Sequence, residues 1–250
     1  MKNENFERYQ RQLLLKEFGI ENGSEGQNRL LKSKVLVCGA GGLGSPVLTY
    51  LAAAGIGNIG ICDSDVLSES NLNRQILYCE SDLGKQKALL AKERLEKFNS
   101  DVFFETYCER LSEENIESIF RKYDIIVDAV DNFPTRYLIN SAAYKNGLPL
   151  ICGAVCEFDG ILTTIVPKEK TACFHCIYPN KPGENITKTV FGILGAIAGT
   201  IGVMEALEVI KFILDLNCLK NKLLVFNGIN NSFRIKDLQK RNNCPSCSNI

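Results

Sequence analysis

Three groups of residues in this 250-residue chain have types and spacings that carry chemistry. The first is Gly39-x-Gly41-x-x-Gly44, with Gly42 inside the turn. Between a strand and a helix, glycines at this spacing let backbone N–H groups close on a phosphate at the helix N-terminus. Asp63 follows about 20 residues later, at the end of the next apolar run, where an acid holds a ribose hydroxyl. The turn serves NAD and ATP equally well, and a tight strand-to-helix turn with no ligand has the same sequence.

The second group separates NAD from ATP. Asp63-Ser64-Asp65 runs into Asn71-Leu72-Asn73-Arg74-Gln75, and Lys87 follows on the next helical segment. Asn71, Arg74 and Gln75 fall at the C-terminal edge of a sheet strand, where open α/β sheets bind ligands. Arg74 and Lys87 there would neutralise the β- and γ-phosphates of a triphosphate and the charge on departing pyrophosphate. Asp65, Asn71 and Gln75 join the glycines and Asp63 as nucleotide-binding candidates. Hydride transfer needs no such excess of cations. Taken alone, Lys87 reads as a solvated helix face.

The third group is Cys173-x-x-Cys176 with Cys244-x-x-Cys247. Four thiolates make a closed tetrahedral set, which points to structural zinc pinning the tail to the middle of the chain. A single pair would also read as redox-active; a second pair is superfluous for that. His175, the chain's one histidine, lies inside the first pair and reads as a loop bystander. Ser-His-Asp and Cys-His mechanisms lose their base by this placement. The other seven cysteines (Cys38, Cys62, Cys79, Cys108, Cys152, Cys156, Cys218) mostly sit in apolar runs and are expected to pack as small hydrophobes.

The elements that must position these groups alternate. Strands are predicted at 34–38, 58–62, 102–107, 124–129 and 149–155, with helices at 45–54, 85–98, 113–121 and 135–146 between them. This is a doubly wound, Rossmann-like α/β fold with a mainly parallel sheet. Residues 160–167 alternate as an antiparallel addition, a buried helix fills 192–214, and late strands lie near 223–226 and 233–235. Residues 4–19 read as one amphipathic helix, 19–26 as a loop, and Leu30 and Leu31 as the start of a linker. The chain divides into an arm (1–30), a nucleotide-binding core (31–165) and a zinc-stapled part (166–250) of a single domain.

Composition is that of a globular enzyme, 45% hydrophobic and 23% charged, long enough to bury a core. Charges balance at 29 basic and 29 acidic residues, so no global field favours nucleic acid. Residues 1–16 lack the apolar core of a signal peptide, and Glu205, Glu208 and Lys211 interrupt the 192–214 segment. A soluble, cytoplasmic protein without membrane attachment is expected.

In sequence order these pieces resemble the ThiF/MoeB/HesA family, the prokaryotic relatives of ubiquitin-activating enzymes. The resemblance rests on Arg8-Tyr9-Gln10-Arg11-Gln12, the glycine turn, the Asp63 to Gln75 segment, Gly84-Lys85-Gln86-Lys87, Asp128-Ala129-Val130-Asp131-Asn132 with Thr135-Arg136, and both cysteine pairs. It implies a homodimer that uses ATP and Mg²⁺ to adenylate the C-terminal Gly-Gly carboxylate of a small ubiquitin-like sulfur-carrier protein, for thiamine or molybdopterin synthesis. By the same resemblance Arg74 and Lys87 contact phosphates, Arg11 reaches the partner subunit's phosphates, Asp63 holds ribose, Asn71 lies near the phosphate tail, and Asp131 binds Mg²⁺. The carrier is expected near the late strands and the loop 179–189.

Blander readings exist for single residues. Arg11 can be a surface charge, and Asp131 can cap the helix that begins near Pro134. Some family members carry a cysteine after the first C-x-x-C; residues 185–189 contain none, so the reaction is expected to stop at the adenylate, with Cys79 and Cys156 as remote nucleophile candidates. Other functions compete: adenylation of another carboxylate or a modified tRNA base, an NAD-dependent oxidoreductase, and a non-catalytic nucleotide-fold module.

Overall fold

Short apolar runs ending in small or acidic residues build the sheet. The computed structural model describes residues 6–19, 24–179 and 192–248. Strands β1 (Lys34–Cys38), β2 (Asn58–Cys62), β3 (Phe103–Tyr107), β4 (Ile125–Asp128), β5 (Leu150–Cys156), β6 (Asp159–Ile165), β7 (Lys222–Asn227) and β8 (Ser232–Asp237) form one sheet in the order 3-2-1-4-5-6-7-8. Strands β1 to β5 pair in parallel, and β6, β7 and β8 add on antiparallel. The chain winds outward one way from β1 and the other way from β4. Their boundary is the reversal point where such sheets open a ligand crevice.

The helices are α1 (Gln10–Leu13), α2 (Ser24–Lys32), α3 (Gly44–Ala54), α4 (Lys87–Phe98), α5 (Ile116–Phe120), α6 (Phe133–Asn146), α7 (Phe174–Ile177) and α8 (Gly195–Ile213). Helices α3, α4 and α8 pack the larger core on one sheet face, with Val47, Leu51, Ala91 and Ile201 fully buried. Helices α5 and α6 and the four paired cysteines pack a second core on the other. The doubly wound expectation therefore holds, with helices on both faces. No described helix is long and apolar enough to cross a membrane.

The N-terminal region departs from expectation. Residues 4–19 do not form one helix: described residues make two 3₁₀ turns and the short α1, broken where Leu15 is extended. The expected linker around Leu30 is instead helix α2. Its buried face consists of Gly26, Gln27 and Leu30, with one large apolar residue among them. A Cβ on Gly26 would lie 2.8 Å from Phe18 Cα, so a larger residue cannot pack there. The Gln27 amide donates to Ala54 O at 3.1 Å, and Gln12 donates to the same carbonyl at 2.9 Å. Polar side chains thus dock the arm on the C-terminus of α3, where backbone acceptors need partners. Of the seven unpaired cysteines, Cys38, Cys62, Cys152 and Cys218 are buried as expected, while Cys79, Cys108 and Cys156 are exposed.

Helix α8 brings one unusual group into the core. Glu205 is fully buried, and its Oε1 accepts from Gly153 N at 2.9 Å. Its Oε2 has no partner among the described residues. Burial pushes this carboxyl well above its ordinary value, with Arg136 opposing. A carboxyl raised in the fold contributes its full stability below its unfolded pKa, about 4.3, and loses it as pH climbs toward the folded value. Glu205→Gln, which cannot ionise, is expected to raise Tm at pH 8 by roughly 2–4 °C per kcal/mol relieved. Calorimetry from pH 5 to pH 8 should show the difference between the two proteins widening with pH.

Candidate functional site

The glycine turn sits at the β1–β4 boundary. Gly39 has φ of +96°, and a Cβ there would lie 2.6 Å from Ala129 O. Only glycine meets both conditions. The turn then curls so tightly that a Cβ on Gly44 would fall 1.9 Å from Gly39 O. Ser45 N donates to Gly41 O at 2.9 Å, and α3 begins with its N-terminus at the crevice. Asp63 stands beside the turn: its Oδ2 accepts from Ala40 N at 2.7 Å and its Oδ1 from Asp65 N at 2.8 Å. Burial raises the Asp63 carboxyl, and those two N–H groups and Lys87 pull it back. Tyr78 donates its hydroxyl to Ala40 O at 2.8 Å and lies 3.3 Å from Lys87 O.

The cationic segment wraps over this turn. Ser68 opens a 3₁₀ turn in which the Asn71 side chain accepts from Ser68 N at 3.3 Å. Asn71 O then accepts from Arg74 N and Gln75 N. The Arg74 stem runs over Gly42, whose added Cβ would lie 3.4 Å from Arg74 Cγ, and against Gly195 at the start of α8. Its Nη1 donates to Ser70 O at 2.8 Å and Asn73 Oδ1 at 3.0 Å. Gln75 is 4% exposed, its Nε2 is 3.4 Å from the Cβ position of Gly41, and its Oε1 has no partner among the described residues. Lys87 opens α4 at 4% exposure, with Nζ 2.9 Å from Asp65 Oδ2. It is buried at the site, so its reading as a solvated helix face is wrong.

Asp131 lies exposed between β4 and α6, and its Oδ1 is 3.5 Å from the Asn132 amide. The helix cap is Asn132, which accepts from Thr135 N at 3.0 Å. Asp131 is therefore free of the capping role. Arg11 is the residue that the structure does not bring in. It is exposed on α1, next to Gln12, which docks on the far end of α3. An 11-residue helix spans roughly 16 Å, so Arg11 and the glycine turn of one chain lie at opposite ends of α3.

The four sulfurs of Cys173, Cys176, Cys244 and Cys247 lie within 4.8 Å of one another. Cys173 and Cys244 are 3.5 Å apart, Cys176 and Cys247 3.5 Å, and Cys173 and Cys176 3.9 Å. Tetrahedral zinc with Zn–S bonds of about 2.3 Å requires S···S edges of about 3.8 Å. The set fits zinc and leaves no open ligand position. It props α6: Phe174 N donates to Asn140 Oδ1 at 2.9 Å, and Ser246 meets Ser141 at 3.0 Å. His175 is not in a loop but in α7, buried, stacked on Tyr137 at 4.2 Å and bonded to Ser246.

Arg74, Gln75 and the buried Lys87 thus gather about the glycine turn, with Asp63 and Asp65 beside them. Sequence reading assigns no role to Tyr78, which sits in an apolar run, and shows Asp128 and Arg136 only as pieces of the family motif; their pairing appears only once the β4–α6 turn forms. The carrier loop 179–189 falls, from residue 180 on, outside the described residues.

A family model described as "ThiF family" matches residues 9–249. The chain is 42% identical to a sulfur carrier protein adenylyltransferase of Thermus thermophilus, over 98% of this chain and 91% of that protein. It is 38% identical to the SAMP-activating enzyme E1 of Haloferax volcanii, over 96% and 88%. Among solved structures, Escherichia coli MccB with ATP superposes with a TM-score of 0.84 at 26% identity, covering 98% of this chain and 75% of that one.

The cysteine geometry makes an expected outcome. Purified protein should carry stoichiometric zinc by atomic emission. Cys244→Ser should lose it and lower Tm by roughly 5–10 °C, since metal binding is folding energy here.

Proposed function

Because this chain belongs to the ThiF family, we propose that it is an adenylyltransferase that joins AMP from ATP to the C-terminal carboxylate of a small sulfur-carrier protein. The observation that carries this is the convergence of Arg74, Gln75 and the buried Lys87 on the glycine turn beside Asp63. The relatives named as adenylyltransferase and activating enzyme, and the ATP bound by a protein of the same fold, support it.

A C-terminal carboxylic acid has a pKa of about 3.5, so the nucleophile is ionised at neutral pH and needs no base. Its oxygen bonds to the α-phosphorus while the bond from that phosphorus to the bridging oxygen breaks, and pyrophosphate leaves. The protein's task is alignment and charge stabilisation. The N-terminus of α3 and the turn's N–H groups receive phosphate, Arg74 and Lys87 stabilise the departing pyrophosphate, and Asp63 binds the ribose. Asn71 and Asp65 hold Arg74's segment and Lys87 in place. Asp131 is an exposed hard-oxygen donor at the same strand edge, as Mg²⁺ requires. Bound there, Mg²⁺ would neutralise phosphate charge. The carrier ends in Gly-Gly and serves thiamine or molybdopterin synthesis in the cytoplasm; no nucleic acid is involved. The late strand β8 presents Phe233 and Ile235 exposed, in keeping with a carrier seated there. The reaction ends at the adenylate, with sulfur supplied by a separate donor.

ATP–pyrophosphate exchange with Mg²⁺ and Gly-Gly-ending carriers tests this. One carrier should drive exchange, and Arg74→Ala and Lys87→Ala should each lower it about 10²–10³-fold. Exchange without any carrier dependence, or no ATP binding, overturns the reading.

The reading includes a homodimer; the placement of Arg11 beyond the length of α3 from its own chain's turn, and the exposure of Val203 and Leu207 on α8, support it. Arg11→Ala and Arg74→Ala proteins should each be inactive alone. Mixed and allowed to exchange subunits, they should recover up to about a quarter of wild-type exchange, because half the dimers carry one intact site. If each chain completes its own site, the mixture stays inactive.

A further inference from the structure

The β4–α6 turn holds a buried ion pair that the catalytic reading does not use. Arg136 is 5% exposed and Asp128 is fully buried, yet they pair at 3.1 Å through Nη1 and Oδ2. Burying such a pair seldom stabilises a protein relative to apolar packing. Its geometry shows what else it does.

The guanidinium is a rigid fork, and both prongs are occupied. Nη1 reaches Asp128 at the end of β4 and Cys152 Sγ, 3.6 Å away on β5. Nη2 donates to Val130 O. The second oxygen of Asp128, Oδ1, accepts from Val130 N at 3.3 Å. Both backbone polar groups of Val130 are thus tied to one buried ion pair. Val130 O belongs to the peptide that joins Val130 to Asp131, so the fork sets the orientation of that peptide plane. On the other side of Asp131, the Asn132 side chain accepts from Thr135 N, and Asn132 O accepts from Arg136 N at 3.2 Å. Asp131 therefore follows a peptide plane fixed from the core and precedes a residue anchored to the start of α6.

We propose that Arg136 is a positioning residue for the adenylation reaction, aiming the Asp131 carboxylate by locking the Val130–Asp131 peptide from inside the core. The inference rests on the reading of Asp131 as the carboxylate that holds the divalent cation. A buried arginine is used because one planar group must satisfy a carboxylate and a carbonyl together; a lysine ammonium keeps the charge but is a single point and lacks the fork. Arg136 itself touches neither nucleotide nor carrier, and the effect of changing it passes through Asp131.

The test compares Arg136→Lys with Asp131→Asn in the full-length protein. Two quantities are read besides Tm: the Mg²⁺ concentration that gives half-maximal pyrophosphate exchange at saturating ATP and carrier, and Mn²⁺ binding to the protein–ATP complex by loss of the free Mn²⁺ EPR signal. Arg136→Lys should raise the Mg²⁺ requirement and weaken Mn²⁺ binding about 10–100-fold, as loss of a partner that orients a metal ligand does. Asp131→Asn should move both quantities at least as far. If Arg136→Lys is too unstable to purify, Arg136→Gln, which leaves no buried ammonium, reads the same quantities. If the Arg136 variant lowers Tm alone while Asp131→Asn shifts both metal quantities, Arg136 only holds the core and the proposal fails. If Asp131→Asn also leaves both unchanged, the reading of Asp131 has failed and takes the proposal with it.

Discussion

The site depends on how closely two strands' ends approach at the β1–β4 boundary. Gly39 turns with its backbone against Ala129 O, at a separation that would bring any Cβ to 2.6 Å. That contact fixes the glycine turn relative to the β4–α6 turn, so the phosphate cradle and Asp131 become parts of one rigid object. The rest is attached to this object by hydrogen bonds. Asp63 holds Ala40 N, Tyr78 holds Ala40 O, and Tyr78 also lies against the first residue of α4. Alignment chemistry needs this kind of rigidity, because a displacement of about 1 Å can cost 10²-fold in rate.

The distribution of charge fits a reaction without proton transfer. The one histidine is locked against Tyr137 and Ser246 beside the cysteine cluster, on the sheet face opposite α3, α4 and α8. At the crevice the titratable groups are carboxylates, cations and the buried Tyr78, whose phenol burial holds neutral. Such a set stabilises charge that moves from an anhydride to a leaving pyrophosphate, and it would serve general acid–base catalysis poorly.

Much of this was legible in sequence, for identifiable reasons. Strands β1 and β2 match the expected 34–38 and 58–62 because each is a continuous apolar run closed by a turn. The glycine turn, Asp63, Arg74, Gln75 and Lys87 converge as expected, since all follow strand ends along one sheet edge. The cysteine pairs meet because spacing alone defines a four-sulfur set. Contacts between polar side chains and distant backbone were not legible. Helix α2 is held by Gln27 on Ala54 O, and the arm by Gln12 on the same atom, contacts that no apolar pattern announces. Arg136 shows in the sequence only as part of a family motif, with no role, because its partners Asp128, Val130 and Cys152 adjoin it only after the sheet forms.

Helix α3 joins the two levels of organisation. Its N-terminus carries the partial positive charge of the helix dipole toward the crevice, where phosphate gains most. Its C-terminal carbonyl at Ala54, the end that carries the opposite partial charge, takes donors from both Gln12 and Gln27. In the proposed site, the helix that receives the nucleotide at one end anchors the arm at the other. In the same reading, a rigid strut of this length keeps Arg11 from its own chain's phosphates. On the proposed dimer, that separation is what makes the arm useful: the cation is presented outward, already ordered, to a second copy, and neither subunit can complete its site without the other.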